Sequence, residues 1–153
     1  MTEWLIADLD EYLENKKKAE YASEADLEFM KSEVRDFLSN VVVVALQNLR
    51  EPLEKHGRAV RIFGNPRQDS ISIQISFGDK REFDYSVKVD IGLHHAHPYV
   101  VTLAREAGHY YQYESFLGNG PNDSIYSVTQ EDVMKSFLSL FKRRTECVAN
   151  RVS

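Results

Sequence analysis

Residues 70–91, SISIQISFGDKREFDYSVKVDI, decide the fold class. Ile71, Ile73, Ile75 and Phe77 alternate with Ser70, Ser72, Gln74 and Ser76. Beyond Gly78-Asp79-Lys80-Arg81, the residues Phe83, Tyr85, Val87, Val89 and Ile91 alternate with Glu82, Asp84, Ser86, Lys88 and Asp90. A period of two with one apolar row describes two strands, each with a buried face and a wet one. Both apolar rows carry odd numbers, and directly opposed residues of an antiparallel pair share a face. The loop between them is therefore expected to be odd in length, three or five residues.

Working outward, residues 99–105 and 109–116 read as two more strands, joined by the three-residue loop Glu106-Ala107-Gly108. That loop sets Leu103 opposite Tyr111 and Val101 opposite Tyr113. Residues 58–63 read as a short edge strand. Consecutive antiparallel strands with short loops make a meander, and its apolar face needs a cover of helices. Ile73, Ile75, Tyr85, Val87, Val101 and Tyr111 are expected on that covered face.

The helices come from the two ends of the chain. Over residues 2–18, Leu5, Leu9, Tyr12 and Leu13 fall at helical spacing behind Thr2 as N-cap, with Lys16, Lys17 and Lys18 in the last turn. Trp4 and Tyr12 are expected to pack this helix onto its neighbours. Ser23, with Asp26 in the capping-box position, predicts the start of a second helix. Its stripe is Leu27, Met30, Val34, Phe37, Leu38, Val41, Ala45 and Leu49, and Pro52 is expected to end or kink it. The run Val41 to Val44 predicts a turn buried on more than one side. Thr129, with Asp132 in the box position, caps a last helix whose apolar face is Val133, Met134, Phe137, Leu138 and Phe141. The expected fold is α+β: an antiparallel five-stranded meander sheet with N-terminal helices and a C-terminal helix packed on one face. It forms a single domain over 1–153, with a helical segment at 1–56, the sheet at 58–116 and the last helix at 129–147.

Charge and composition bound the function. The chain has 153 residues, with 24 acidic and 19 basic side chains and a formal net charge of −5. That balance disfavours non-specific binding to nucleic acid or to anionic lipid. The single cysteine, Cys147, cannot form an internal disulfide and suits a reducing compartment. The charged amino-terminal stretch does not read as a leader, and no run approaches the ~20 apolar residues of a membrane span. A cytoplasmic location is expected.

No phosphate loop, nucleophile elbow, paired cysteines or His-Glu-x-x-His motif is present. The topology gathers three connections, 64–69, 92–98 and 118–123, at one end of the sheet. They carry Arg67, Asp69, His94, His95, His97, Asn119, Asn122 and Asp123. His95 and His97 project on one face if the preceding strand continues through them, and Asp69 or Asp123 could complete the shell of a divalent metal such as zinc. His109 is expected at the opposite end. A metal-dependent hydrolase built on His94, His95 and His97 is thus one alternative reading, and a small ligand held between sheet and helices is another. The principal reading is a small, soluble, non-catalytic binding or regulatory domain that needs no cofactor and acts through protein contacts. Two surfaces support it. The wet sheet face (Ser72, Gln74, Ser76, Asp84, Ser86, Lys88, Asp90, Thr102) continues into Tyr110, Gln112, Glu114 and Phe116. The amino-terminal helices are expected to form a homodimer, the monomeric alternative being a helical hairpin that hides Val42 or Val43 against Leu9 and Tyr12.

Overall fold

In the computed structural model, which describes residues 2–65, 69–91, 96–106, 109–118 and 123–152, the two expected amino-terminal helices are one unbroken rod. Helix α1 (Thr2–Phe37) enters a π-helical turn at Leu38–Val42 and continues as α2 (Val43–Lys55). Ser23 lies inside α1, so no second helix starts there. Pro52 lies in the last turn of α2, and the helix runs three residues past it.

The π turn explains a second departure. The Val43 amide reaches back five residues to the Leu38 carbonyl, which inserts one extra residue into the helical repeat. Beyond the turn the apolar stripe therefore broadens by one position. Val34 and Leu38 are followed in the core by Val42 and Leu46 as well as by the expected Ala45, while Val41 and Leu49 are only partly buried. Of the four valines only Val42 is fully enclosed, and Val44 is exposed.

Strands β1 (Arg58–Asn65), β2 (Ser70–Phe77), β3 (Lys80–Ile91), β4 (Ala96–Glu106) and β5 (His109–Phe116) form one antiparallel sheet in chain order. The central parity holds, with Ile73 opposite Tyr85 and Ile75 opposite Phe83. The loop, however, is a two-residue turn, because Phe77 pairs with Lys80 and Gly78 takes φ 64° at its first position. A bulge makes up the difference: Ile75 opposes Phe83 but Ser76 opposes Arg81, which leaves Glu82 as the extra residue. The Glu82 carboxylate accepts from Arg58 Nε and Nη2, both at 3.3 Å, tying the bulge to the start of β1.

The last hairpin is also one residue tighter than expected. Glu106 pairs with His109, so Ala104 lies opposite Tyr111, Thr102 opposite Tyr113, and Val101 opposite Glu114. On β4 the even residues Val100, Thr102 and Ala104 are buried, and Val101 and Leu103 stand on the open face. Thr102, expected on the wet face, is fully enclosed, and no described residue bonds its Oγ1. Pro98 lies inside β4, beyond the last pair with β5 at Tyr99 and Phe116, so β3 is the one strand paired with it. A residue without an amide hydrogen fits that half-paired position.

Helices lie on one face of the sheet. Met30, Val34, Phe37, Leu38, Val42 and Leu46 meet Ile73, Ile75, Phe83, Tyr85 and Val87 beneath Val133, Phe137 and Leu140 of α3 (Gln130–Val152). The rings of Phe83, Tyr85 and Phe137 pack edge to face at 5.4–5.7 Å around Phe137, filling the layer between sheet and helix. The capping box on α3 forms as expected. Thr129 Oγ1 accepts from the Asp132 amide at 3.2 Å, and Asp132 Oδ2 accepts from the Thr129 amide at 2.9 Å. Leu138, expected on the buried stripe, faces out, and Leu140 takes the core position.

Candidate functional site

The end of the sheet that carries the three connections is also the end from which α1 departs. Arg35, Leu38 and Ser39, where α1 meets the π turn, share a shallow groove with Gly64, Asp69, Ser70 and Ile71. From there α2 runs back over the sheet to Lys55, next to the start of β1. Helix α1 therefore extends the other way, out past the loops. Met30 Sδ accepts from the Tyr126 hydroxyl at 4.0 Å, close to where the helix leaves the body.

Of the expected ligand set, His97 and Asp123 do come together. His97 Nδ1 lies 3.1 Å from the Asp123 main-chain oxygen, and the Ile125 amide donates to the Ala96 carbonyl at 3.1 Å. These bonds fasten the segment after β5 to the first residues of β4. The Asp123 carboxylate packs where a Cβ on Gly118 would stand, and Gly118 has φ +90°, so only glycine fits there. Asp69 takes the left-handed conformation at φ 44° and belongs to the groove beside Arg35. His94, His95, Arg67, Asn119 and Asn122 lie outside the described residues. Among the described residues, no group of three or more His, Cys, Asp or Glu side chains is placed to hold a metal ion. His109 stands at the far end of β4, opposite Glu106, as expected.

The larger feature is α1 itself. At 100° per residue, Leu5, Leu9 and Tyr12 fall within about 80° of arc with Leu27, Met30, Val34 and Phe37. One apolar face thus seats the helix on the core at its carboxyl end and continues bare at its amino end. Leu9 is 55% exposed and Tyr12 62%. Trp4, expected to pack inward, is 63% exposed, and the helical hairpin that would cover Val42 is not formed. The opposite side of the same turns bears Glu3, Asp10, Glu11 and Glu14, and Asp8 borders the apolar arc, all of them exposed. An isolated helix of this kind is marginal in water, so the arm gains from a partner.

Strand β5 forms one edge of the sheet among the described residues, and its open-face row Tyr110, Gln112, Glu114 and Phe116 is exposed. On the same face of β3, Asp84 is only 13% exposed in its side chain, with Oδ2 3.5 Å from Arg81 Nη1 and no described partner for Oδ1. Burial pushes its carboxyl above the ordinary range, and Arg81 only partly opposes that.

No helix among the described residues is long and apolar enough to cross a membrane. Comparison with protein-family models, curated proteins and solved structures finds no match for the chain.

Proposed function

We propose that the chain is a non-catalytic binding or regulatory domain that acts through protein contacts, with the projecting part of α1 as its contact element and a second copy as the occupant. The observation that carries this reading is the bare stripe of Leu5, Ile6, Leu9, Tyr12 and Leu13, each at least half exposed on a helix that leaves the body of the protein. Antiparallel pairing about a two-fold axis at Leu9 sets Leu5 against Leu13 and Ile6 against Tyr12. It also brings Lys16, Lys17 and Lys18 of one copy toward Glu3 of the other and opposes the helix dipoles. Parallel pairing would place the lysines against one another.

The strength of this contact follows from its size. Burying the exposed half of each of ten side chains at ~1 kcal/mol apiece gives ~10 kcal/mol. Association itself costs about 4–15 kcal/mol. The difference leaves at most ~6 kcal/mol, so the dimer should be reversible, with a dissociation constant of about tens of micromolar or weaker, rather than permanent. Sedimentation equilibrium over a wide concentration range should show a monomer–dimer exchange that Leu9→Glu abolishes without changing the circular dichroism of the body. A wild-type monomer at every concentration, or a dimer indifferent to Leu9→Glu, would reject this role for α1. The metal-dependent alternative rests on His94 and His95 together with His97, Asp69 and Asp123. Zinc titration of wild type against His97→Ala tests it separately.

A further inference from the structure

The two edges of the sheet are protected very differently. On the β1 side, α2 lies alongside and Arg50 Nη1 donates to the Val60 carbonyl at 3.3 Å. On the β5 side, no backbone bond other than those to β4 reaches His109–Phe116 among the described residues. The strand has no proline, no lysine and no bulge, the usual devices that blunt an edge, and four of its eight residues are aromatic. Its only carboxylate is Glu114.

Helix α3 supplies a wall beside this edge. Lys135, Ser139 and Arg143 recur at intervals of four on one side of the helix. With Ser115 and Gly118 they line a groove of about 350 Å³. Arg144 adds a guanidinium 3.6 Å above the Tyr113 ring. Three cations, Lys135, Arg143 and Arg144, stand against two carboxylates: Asp132, which caps the helix, and Glu131, whose Oε1 lies 3.0 Å from Lys135 Nζ. The wall is thus basic by one charge, carried by Arg143 and Arg144, while the other face of the edge presents Tyr110 and Phe116, 56% and 66% exposed.

We propose that β5 is a strand-addition site for an extended segment of another protein in which acidic and apolar residues alternate. Main-chain bonds to the outer edge of β5 supply the common affinity, and side chains of period two supply the choice. Acidic residues of the added strand fall on the helix side, toward Lys135 and Arg143. Apolar residues fall on the open side, against Tyr110 and Phe116. This site is independent of α1.

The test uses full-length protein and a fluorescent, end-blocked peptide, Val-Glu-Val-Glu-Val-Glu-Val, followed by anisotropy. In an added strand every second amide points at β5, so all the inward amides belong either to the valines or to the glutamates. N-methylation of one set should abolish binding, and N-methylation of the other should leave it intact. The double variant Lys135→Glu/Arg143→Glu should weaken binding about tenfold or more, since its targets are charge-assisted contacts. Equal binding by the two methylated peptides would overturn the proposal, as would indifference to the double variant or no binding to wild type at millimolar concentration. A dimer that survives Leu9→Glu and that the peptide dissociates would assign the edge to a second copy and overturn it too.

Discussion

The bond between Tyr85 and Ser136 joins the sheet to α3 and so fixes the wall beside β5. Its two ends are not equivalent. Tyr85 is fully buried between Phe83, at 6.5 Å, and Phe137, at 5.4 Å, and its hydroxyl donates to Ser136 Oγ at 3.0 Å. Burial drives the phenol far above its ordinary pKa, so it stays a neutral donor at any working pH. Ser136 also lines the groove, where water reaches it. Ser136→Ala strands a buried hydroxyl and should cost about 1–3 kcal/mol, whereas Tyr85→Phe keeps the ring contacts, frees Ser136 to bond water, and should cost about 0.5–1.5 kcal/mol. Adding Ser136→Ala to Tyr85→Phe should then cost almost nothing, because no donor is left to strand. Thermal unfolding at one fixed protein concentration resolves this, at about 2–4 °C per kcal/mol for a domain of this length. If Tyr85→Phe costs more than Ser136→Ala, or if the two costs simply add, the account of the bond is wrong.

Two further outcomes follow from buried polar atoms. Thr102→Val should stabilise the protein by about 1 kcal/mol, since it removes an enclosed hydroxyl that no described residue bonds; a loss of stability in urea titration would show that Oγ1 has a partner. Asp84→Asn should stabilise at neutral pH and flatten the acid limb. The Asp84 carboxyl titrates above its unfolded value, so the native chain holds that proton over a wider range. Its contribution is full below the unfolded pKa and is lost as pH rises through the folded one, which is the decline the variant should lack. A wider gap at pH 3 than at pH 7 would contradict this sign.

Much of the sheet was legible because a period of two leaves little freedom once one face is buried. The alternation of Ile73 and Ile75 with Tyr85 and Val87 placed these residues correctly. Parity alone could not count the loop, since a bulge at Glu82 and a two-residue turn give the same face as a longer loop without a bulge. For β4 the apolar residues Val100 and Val101 are adjacent, so the pattern does not say which one faces the helices; the tighter last hairpin selects Val100. The helical rod was read as two pieces because Ser23 and Asp26 resemble a start, yet such residues are tolerated inside a long helix. The π turn was invisible for a related reason: one residue's slip is hidden when four valines in a row offer an apolar side chain in either phase. The loop convergence was legible to the extent that His97 meets Asp123. The open face of β5, with Tyr110 and Phe116, is legible as a contact surface from parity; its place at the sheet edge beside Lys135 and Arg143 is not, because a strand pattern does not say which strand lies outermost or where α3 crosses.

The unbroken passage from α1 through the π turn into α2 also sets a distance. About 21 residues separate Leu9 from Met30, or about 32 Å of helix at 1.5 Å per residue. Two copies joined at Leu9 would hold their bodies about 63 Å apart, with no chain break to fold the arms back. Such a pair behaves as a spacer bar rather than a fused globule. Two strands joined in one partner chain would fill both β5 edges only if their linker reaches across such a separation, so linker length would decide between one-handed and two-handed capture.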